Sequence, residues 1–239
     1  MMADAQIPGD DTRIYAIGDI HGRLDLLDRM IAAIERDALE QSGPNLIVTL
    51  GDYIDRGPKS RGVLDRLAPN PFPGDYVALK GNHEAMLAAF LDDPKVGGHW
   101  QHLGGLETLH SFGIRFASLL GARNFDEAAE QLRAALTAEQ KKFLASLKMS
   151  QTVGRYFLCH AGVRPGVALD RQTDEDLLWI RDEFLDSEAD FGKVVVHGHT
   201  PVAEPQVRLN RINIDTGAFA TGRLTCVVLE EAGHRFITA

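Results

Sequence analysis

Aspartate, histidine and asparagine recur beside glycine at five places in the chain. These are Gly18-Asp19-Ile20-His21-Gly22, Gly51-Asp52-Tyr53-Ile54-Asp55-Arg56-Gly57, Gly81-Asn82-His83-Glu84, His160-Ala161-Gly162 and His197-Gly198-His199-Thr200. Carboxylate, imidazole and carboxamide donors form a mixed oxygen and nitrogen set that suits divalent cations. Two cations ~3.5–4 Å apart need a carboxylate that bridges them, with the other ligands divided between them. Asp52 is the candidate bridge, Asp19 and His21 complete a first ion, and Asn82, His160 and His199 complete a second. Such a pair activates a water lodged between the ions and neutralises a phosphoryl group. That lowers the barrier to a hydrolysis that is extremely slow unaided.

Other polar members of the motifs suit supporting work. His83 adjoins a proposed ligand, so its ring can face a substrate and protonate a departing oxygen as general acid. Asp55 can accept a hydrogen bond from the other ring nitrogen and keep that imidazole charged. Arg56 offers a guanidinium able to hold two phosphate oxygens at once, and Asn82 is counted beside it as a phosphate contact. Arg181, in Trp179-Ile180-Arg181-Asp182, is a second clamp, with Arg164 competing for that role. Glu84 is read as an orienter of the ligands rather than a ligand.

Elements must deliver these side chains. Arg13–Ile17, residues 46–50 and residues 75–79 read as short buried strands, each running into a glycine-bearing motif. Helices are expected from Leu24, over 60–67 after Pro58, and over 84–91. Strand, motif and helix three times over is the βαβ rhythm of an open α/β sheet, which binds ligands at the carboxyl ends of its strands. Residues 94–150 break that rhythm as a helical insertion lying over the site, with helices expected around 103–112, over 126–136 and over 137–147. Thr137 and Gln140 make a capping-box pattern. Strands return at 156–159 and 194–196, and 211–214 with 224–229 read as antiparallel strands closing the chain. Residues 1–12 read as a disordered leader and 13–239 as one domain.

Composition narrows the class. The chain has 239 residues, 44% hydrophobic and 25% charged, the profile of an ordinary globular protein. A formal net charge of −9 argues against non-specific nucleic-acid binding. Cys159 and Cys226 form no CxxC motif, which argues against a zinc ribbon or redox pair. The amino-terminal residues lack the apolar core of a signal peptide and no apolar run approaches ~20 residues, so a cytoplasmic protein off the membrane is expected.

Taken together and in this order, the five motifs resemble those of the PPP family of metallophosphoesterases, which includes serine/threonine protein phosphatases. The likeness is strongest to the small bacterial and phage branch, similar to lambda phosphatase. The resemblance implies a calcineurin-like β-sandwich flanked by helices, in place of the open sheet that local reading suggests. It implies the same six metal ligands, His83 as acid, and two divalent ions, usually manganese, with iron or zinc compatible with the donors. The implied substrates are phosphoproteins, phosphopeptides or small phosphoesters. Relatives outside the PPP type carry a further histidine where this chain has Pro201, which makes His197 a bystander. Trp179-Ile180-Arg181 resembles a short segment of the bacterial branch. A competing activity is dinucleoside tetraphosphate hydrolysis, whose symmetric bacterial enzymes typically lack an aspartate at the position matching Asp55.

Singly, each motif has a plainer reading. Asp19 alone would cap a helix, Asn82 would mark a turn, and Arg56 would be a surface charge. Five in order would need independent coincidences. His99, His102 and His110 gain nothing from the pattern and read as exposed or packing residues. Trp100 is balanced between a recognition platform and an anchoring aromatic, and Cys159 reads as a small buried apolar group. Asp174-Glu175-Asp176 with Asp182-Glu183 reads as a solvated helix face, and Gly22 and Gly217 as turn residues.

Overall fold

β1 (Arg13–Ile17) has no exposed face. Ile14 and Ala16 join one apolar cluster and Tyr15 and Ile17 another, so the strand must be covered on both sides. The computed structural model, which describes residues 12–40, 43–115 and 125–239, covers it with helices on one side and a second sheet on the other. Thr12 is buried, and the remainder of the expected leader lies outside the described residues.

After β1 come α1 (Leu24–Leu39), β2 (Asn45–Thr49), α2 (Ser60–Leu67), β3 (Asp75–Ala78) and α3 (Asn82–Asp92). The helical stretch that follows holds α4 (Gly97–Trp100), α5 (Gly105–Ser111), α6 (Phe125–Ala135) and α7 (Ala138–Ser146). Next are β4 (Ser150–Val153), β5 (Tyr156–Cys159), α8 (Asp174–Trp179), α9 (Asp182–Leu185) and β6 (Val194–His197). The chain closes with β7 (Gln206–Val207), β8 (Arg211–Asn213), α10 (Ala218–Thr221), β9 (Thr225–Glu230) and β10 (Gly233–Thr238).

The strands form two five-stranded sheets, in the orders β10-β9-β1-β2-β3 and β4-β5-β6-β8-β7. This is the sandwich implied by the resemblance, and it corrects the open sheet of the local reading. The closing strands are antiparallel as expected where β9 meets β1 and β10 and where β8 meets β7, but they lie in different sheets and β8 also has a parallel neighbour. β8 pairs in parallel with β6, whereas β9 pairs antiparallel with β1 in the other sheet. Both pack between the sheets, β8 through Ile212 and β9 through Val227 and Leu229, while Val228 of β9 faces the helices.

Ile14, Ala16, Leu46 and Val48 of the first sheet meet Leu158, Val196 and Ile212 of the second. Each fully buried aliphatic side chain there contributes about 1.5–3 kcal/mol to holding the sheets face to face. Leu26, Leu27, Met30, Ile31 and Ile34, the apolar stripe of α1, cover the outer face of the first sheet. Leu177 and Phe184 from α8 and α9 cover the second. Each sheet contains three strands running parallel: β1, β2 and β3 in one, β5, β6 and β8 in the other. Their carboxyl ends open onto a shared edge of the sandwich, where all five motifs lie. No helix among the described residues is long and apolar enough to cross a membrane.

Candidate metal centre

Backbone hydrogen bonds tie the motif loops to one another. The amides of Ile20 and His21 both donate to Asp52 O (3.1 and 2.8 Å), and Gly22 N donates to Tyr53 O (2.8 Å). Glu84, in the first turn of α3, accepts from Asp52 N (2.9 Å), Tyr53 N (2.8 Å) and Gly81 N (3.0 Å). Glu84 thus orients two motifs without facing the cluster of donors, as its sequence position suggested. Burial and the nearby Asp52 carboxylate push its pKa up to about 7.

The loops are bent hard. Among the described residues six non-glycines have positive φ, and five of them are His21, Asp52, Asp55, Arg56 and His199. Such conformations cost of order 1–3 kcal/mol each and persist where the surroundings over-determine them, commonly at functional sites. The glycines between them permit close approach. A Cβ on Gly81 would lie 2.1 Å from Asp52 Oδ1, and one on Gly198 would lie 2.1 Å from Asp19 Oδ1.

Of the six side chains expected to converge, His21, Asp52, Asn82, His160 and His199 come together, and Asp19 lies beside them. Asn82 Oδ1 lies 2.9 Å from His160 Nε2 and 3.0 Å from His199 Nδ1, with those two nitrogens 3.2 Å apart. Asp52 Oδ1 is 3.4 Å from His160 Nε2, while its Oδ2 is 3.4 Å from His21 Nε2. One carboxylate therefore faces two donor groups, and potential ligand atoms gather as His21, Asp52 and His83, and again as Asp52, His160 and His199. Asp19 joins neither group; its carboxylate faces Asp52 and Asp215 and accepts from His199 N (3.0 Å).

The imidazoles are set for coordination. His21 Nδ1 donates to Ile54 O and His160 Nδ1 donates to Leu50 O, both at 2.9 Å. Each bond fixes the tautomer that leaves Nε2 with a free lone pair facing the cluster. Burial holds the rings neutral, with His21 lowered to about 3 and His199 to about 2. The carboxylates divide. Burial acts to raise Asp52, but as pH falls a proton taken up by His160, His83, His21 or His199 favours the ionised carboxylate, so Asp52 stays below the usual range. Burial and the facing Asp215 and Asp52 carboxylates push Asp19 well up.

This donor set fits cations. Asp19, Asp52 and Asp215 are each 2% exposed, with no lysine or arginine ion pair formed to them among the described residues. Buried like charges at such density call for positive charge. His83 Nε2 and His199 Nε2 are buried without a hydrogen-bond partner.

His83 stands beside the ligands with Nδ1 2.7 Å from Asp55 Oδ2 and Nε2 3.7 Å from Asp52 Oδ2. Burial acts to lower its pKa, but the Asp52 and Asp55 carboxylates outweigh this and raise it. Half-buried Arg56 lies against the exposed Phe219 ring, its Cζ 4.8 Å from the centroid, on the side of His21. Exposed Arg181 donates to Thr200 Oγ1 (3.3 Å), on the side of His160 and His199. The two guanidiniums flank the cluster. Arg164 does not join them, because it pairs with Asp176 (2.7 Å) and Glu183 (2.6 Å).

That pairing also corrects the reading of the acidic run. Asp176 is buried, caps α8 with Thr173 and anchors Arg164, so it is not part of a solvated face. His197 stays out of both clusters, its ring edge-on to Phe184. His99, His102 and His110 are exposed. Cys159 and Cys226 are buried free thiols, and Gly22 and Gly217 take positive φ in turns.

Sequence reasoning missed Asp215, which lies within hydrogen-bonding reach of Asp19 and is raised to about 6 by burial and by Asp52. Its signal was present: Asp215-Thr216-Gly217 follows strand β8 as the other motifs follow theirs. Phe219 was missed as well, and nothing local marks it.

A two-sheet sandwich carrying a buried His/Asp/Asn cluster at its strand ends defines a metal-dependent phosphoester hydrolase. The chain belongs to the calcineurin-like phosphoesterase family, whose model matches residues 12–220. It is 30% identical to serine/threonine-protein phosphatase 2 of Salmonella typhimurium over 222 residues, 89% of this chain and 90% of the relative. It is 26% identical to the asymmetrical bis(5'-nucleosyl)-tetraphosphatase PrpE of Anoxybacillus flavithermus over 231 residues, 88% of each chain. A crystal structure of a cold-active protein tyrosine phosphatase shares the fold with a TM-score of 0.60 and 18% identity, covering 95% of this chain and 77% of the other.

Proposed function

We propose that the protein is a phosphomonoesterase acting on phosphoserine and phosphothreonine in proteins, with phosphotyrosine as a further substrate. In this reading Asp19, His21, Asp52, Asn82, His160 and His199 hold two divalent ions, manganese in the first instance, within one domain over residues 13–239. When bound, the ions supply Lewis-acid charge to the phosphoryl oxygens and lower the pKa of the attacking water. Arg56 and Arg181 hold the remaining phosphoryl oxygens from opposite sides, with Asn82 between them. Water oxygen bonds to phosphorus as the ester P–O bond breaks. The bond's electron pair leaves on the alkoxide oxygen, which takes the proton from His83 Nε2. The water's proton passes to solvent, and His83 is reprotonated there.

The observation that carries this reading is the buried His83–Asp55 pair at 2.7 Å, with His83 Nε2 lacking a hydrogen-bond partner. A serine or threonine alkoxide is a poor leaving group, and a charged imidazole at that place relieves the penalty. Similarity to the serine/threonine phosphatase supports it. Similarity to PrpE, together with the exposed Phe219 ring beside Arg56, supports a second reading, hydrolysis of dinucleoside tetraphosphates with a base resting on that ring.

The two readings separate in one experiment. Turnover of phosphoserine, phosphothreonine and phosphotyrosine peptides is compared with that of diadenosine tetraphosphate at fixed manganese. Higher kcat/KM on the peptides supports the first reading. Preference for the dinucleotide, with peptides inert, removes it.

A further inference from the structure

Asp55 is fully buried and its two oxygens receive three donors, only one of which is His83. Oδ2 accepts from Trp100 Nε1 at 2.8 Å as well as from His83 Nδ1, and Oδ1 accepts from Thr108 Oγ1 at 2.5 Å. Thr108 Oγ1 in turn accepts from Asp55 N (2.9 Å). Trp100 and Thr108 come from α4 and α5, 45 and 53 residues further along the chain. The same segment reaches the next residue, where Arg56 N donates to Gly104 O (3.2 Å).

We propose that Trp100 and Thr108 are positioning residues for the hydrolysis: they clamp the Asp55 carboxylate in the one orientation that holds His83 toward the leaving group. The claim rests on the reading of His83 as proton donor. A buried carboxylate is costly unless its lone pairs are occupied, and a carboxylate with one donor is free to turn. An indole N–H only donates, and the β-branch of threonine restricts χ1 and so fixes where its oxygen sits beside the carboxylate. Each occupies a lone pair that would otherwise compete for water or swing away.

The surroundings are built for this grip. Trp100 is 1% exposed, and its ring packs on Phe90 with centroids 4.6 Å apart. A Cβ on Gly105 would lie 2.4 Å from the indole, so only glycine leaves room for the ring there. Asp55 and Arg56 both sit at positive φ, a loop shape that needs outside support, and the α4–α5 segment supplies it. The helical stretch after α3 therefore acts at this point as a brace under the acid, not as a platform for substrate.

Trp100→Phe deletes the donor and keeps an aromatic ring on Phe90, at the cost of a small void where the indole packed. Thr108→Val keeps the shape but deletes the hydroxyl, and Thr108→Ser restores it. The wild type, these variants and His83→Asn are assayed with manganese on p-nitrophenyl phosphate, a good leaving group, and phenyl phosphate, a poor one. Metal content is measured on each. Trp100→Phe and Thr108→Val should keep their metal and KM. They should lose about 10-fold or more in kcat on phenyl phosphate and far less on p-nitrophenyl phosphate, because proton donation matters most where the leaving group is poor. Thr108→Ser should recover most of the loss. Adding Trp100→Phe to His83→Asn should cost nothing further, since the two changes remove one function.

If His83→Asn shows the leaving-group dependence and neither Trp100→Phe nor Thr108→Val does, the clamp is refuted while the acid assignment stands. If His83→Asn itself treats both esters alike, the acid assignment fails first. If Trp100→Phe does not fold, the Thr108→Val and Thr108→Ser pair decides the matter alone.

Discussion

His83 commits Nδ1 to Asp55 and leaves Nε2 buried without a hydrogen bond, whereas Asp52 spreads its two oxygens over both donor groups. Neighbouring residues of the centre therefore fail in different ways. Replacing His83 by asparagine removes a proton donor but no proposed ligand. The expected outcome is a fall in turnover of about 10²–10⁴-fold with metal content retained, read by steady-state kinetics beside elemental analysis. Replacing Asp52 by asparagine removes the charge shared by both clusters, and the expected outcome is loss of bound metal along with activity. A His83→Asn protein that loses its metal, or an Asp52→Asn protein that keeps it, would reverse these roles.

At the scale of elements, Asp37 near the end of α1 fastens that helix to the first sheet. Arg235 of β10 donates to both its oxygens (2.8 and 2.7 Å) and Tyr15 of β1 donates to Oδ2 (2.7 Å). The Arg235 bonds hold the Asp37 pKa below the usual carboxylate value. A depressed folded-state pKa means stability present above the unfolded value of about 3.9 and lost as pH falls through the lower folded one. Asp37→Asn should therefore cost about 1 kcal/mol at pH 7, the scale of a partly exposed ion pair, with the gap closing below pH 4 in urea titrations. A gap that persisted unchanged into acid would show the charge to be idle. Elements of this kind differ in how plainly the chain announces them. α2 starts and ends where Pro58 and its apolar stripe place it, and the Thr137–Gln140 cap opens α7 as expected. β7 is two exposed residues with no alternation to read, and polar β4 carries no apolar run. Assignment of β5, β6 and β8 to a second sheet is a long-range choice that local periodicity does not encode. The candidate donors were legible because ligand types sat beside turns at strand ends. The grip of Trp100 and Thr108 on Asp55 was not, because each is an ordinary core residue until its distant partner is known.

Over the whole molecule, an acidic chain gathers its costliest buried charge at one edge of the sandwich. Asp19, Asp52 and Asp215 come from loops after β1, β2 and β8, so both sheets contribute to the cluster. Without cations, closing the sheets over these carboxylates forces Asp19 and Asp215 toward their protonated forms, and that works against the fold near neutral pH. Cations that bind the folded arrangement and not the unfolded chain must then stabilise the entire sandwich. Manganese at a thousandfold excess over its dissociation constant contributes about 4 kcal/mol for one site. For a chain of this length that corresponds to a rise of about 8–16 °C in Tm. The measurement is a thermal melt of chelator-treated protein with and without added manganese, beside the same pair for Asp52→Asn. The wild type should show the rise and Asp52→Asn should not, because the carboxylate common to both donor groups is what couples the ions to the closure of the two sheets. Equal melting of the wild type in both solutions would mean that the cluster holds no ion, and the charge would need another counterweight.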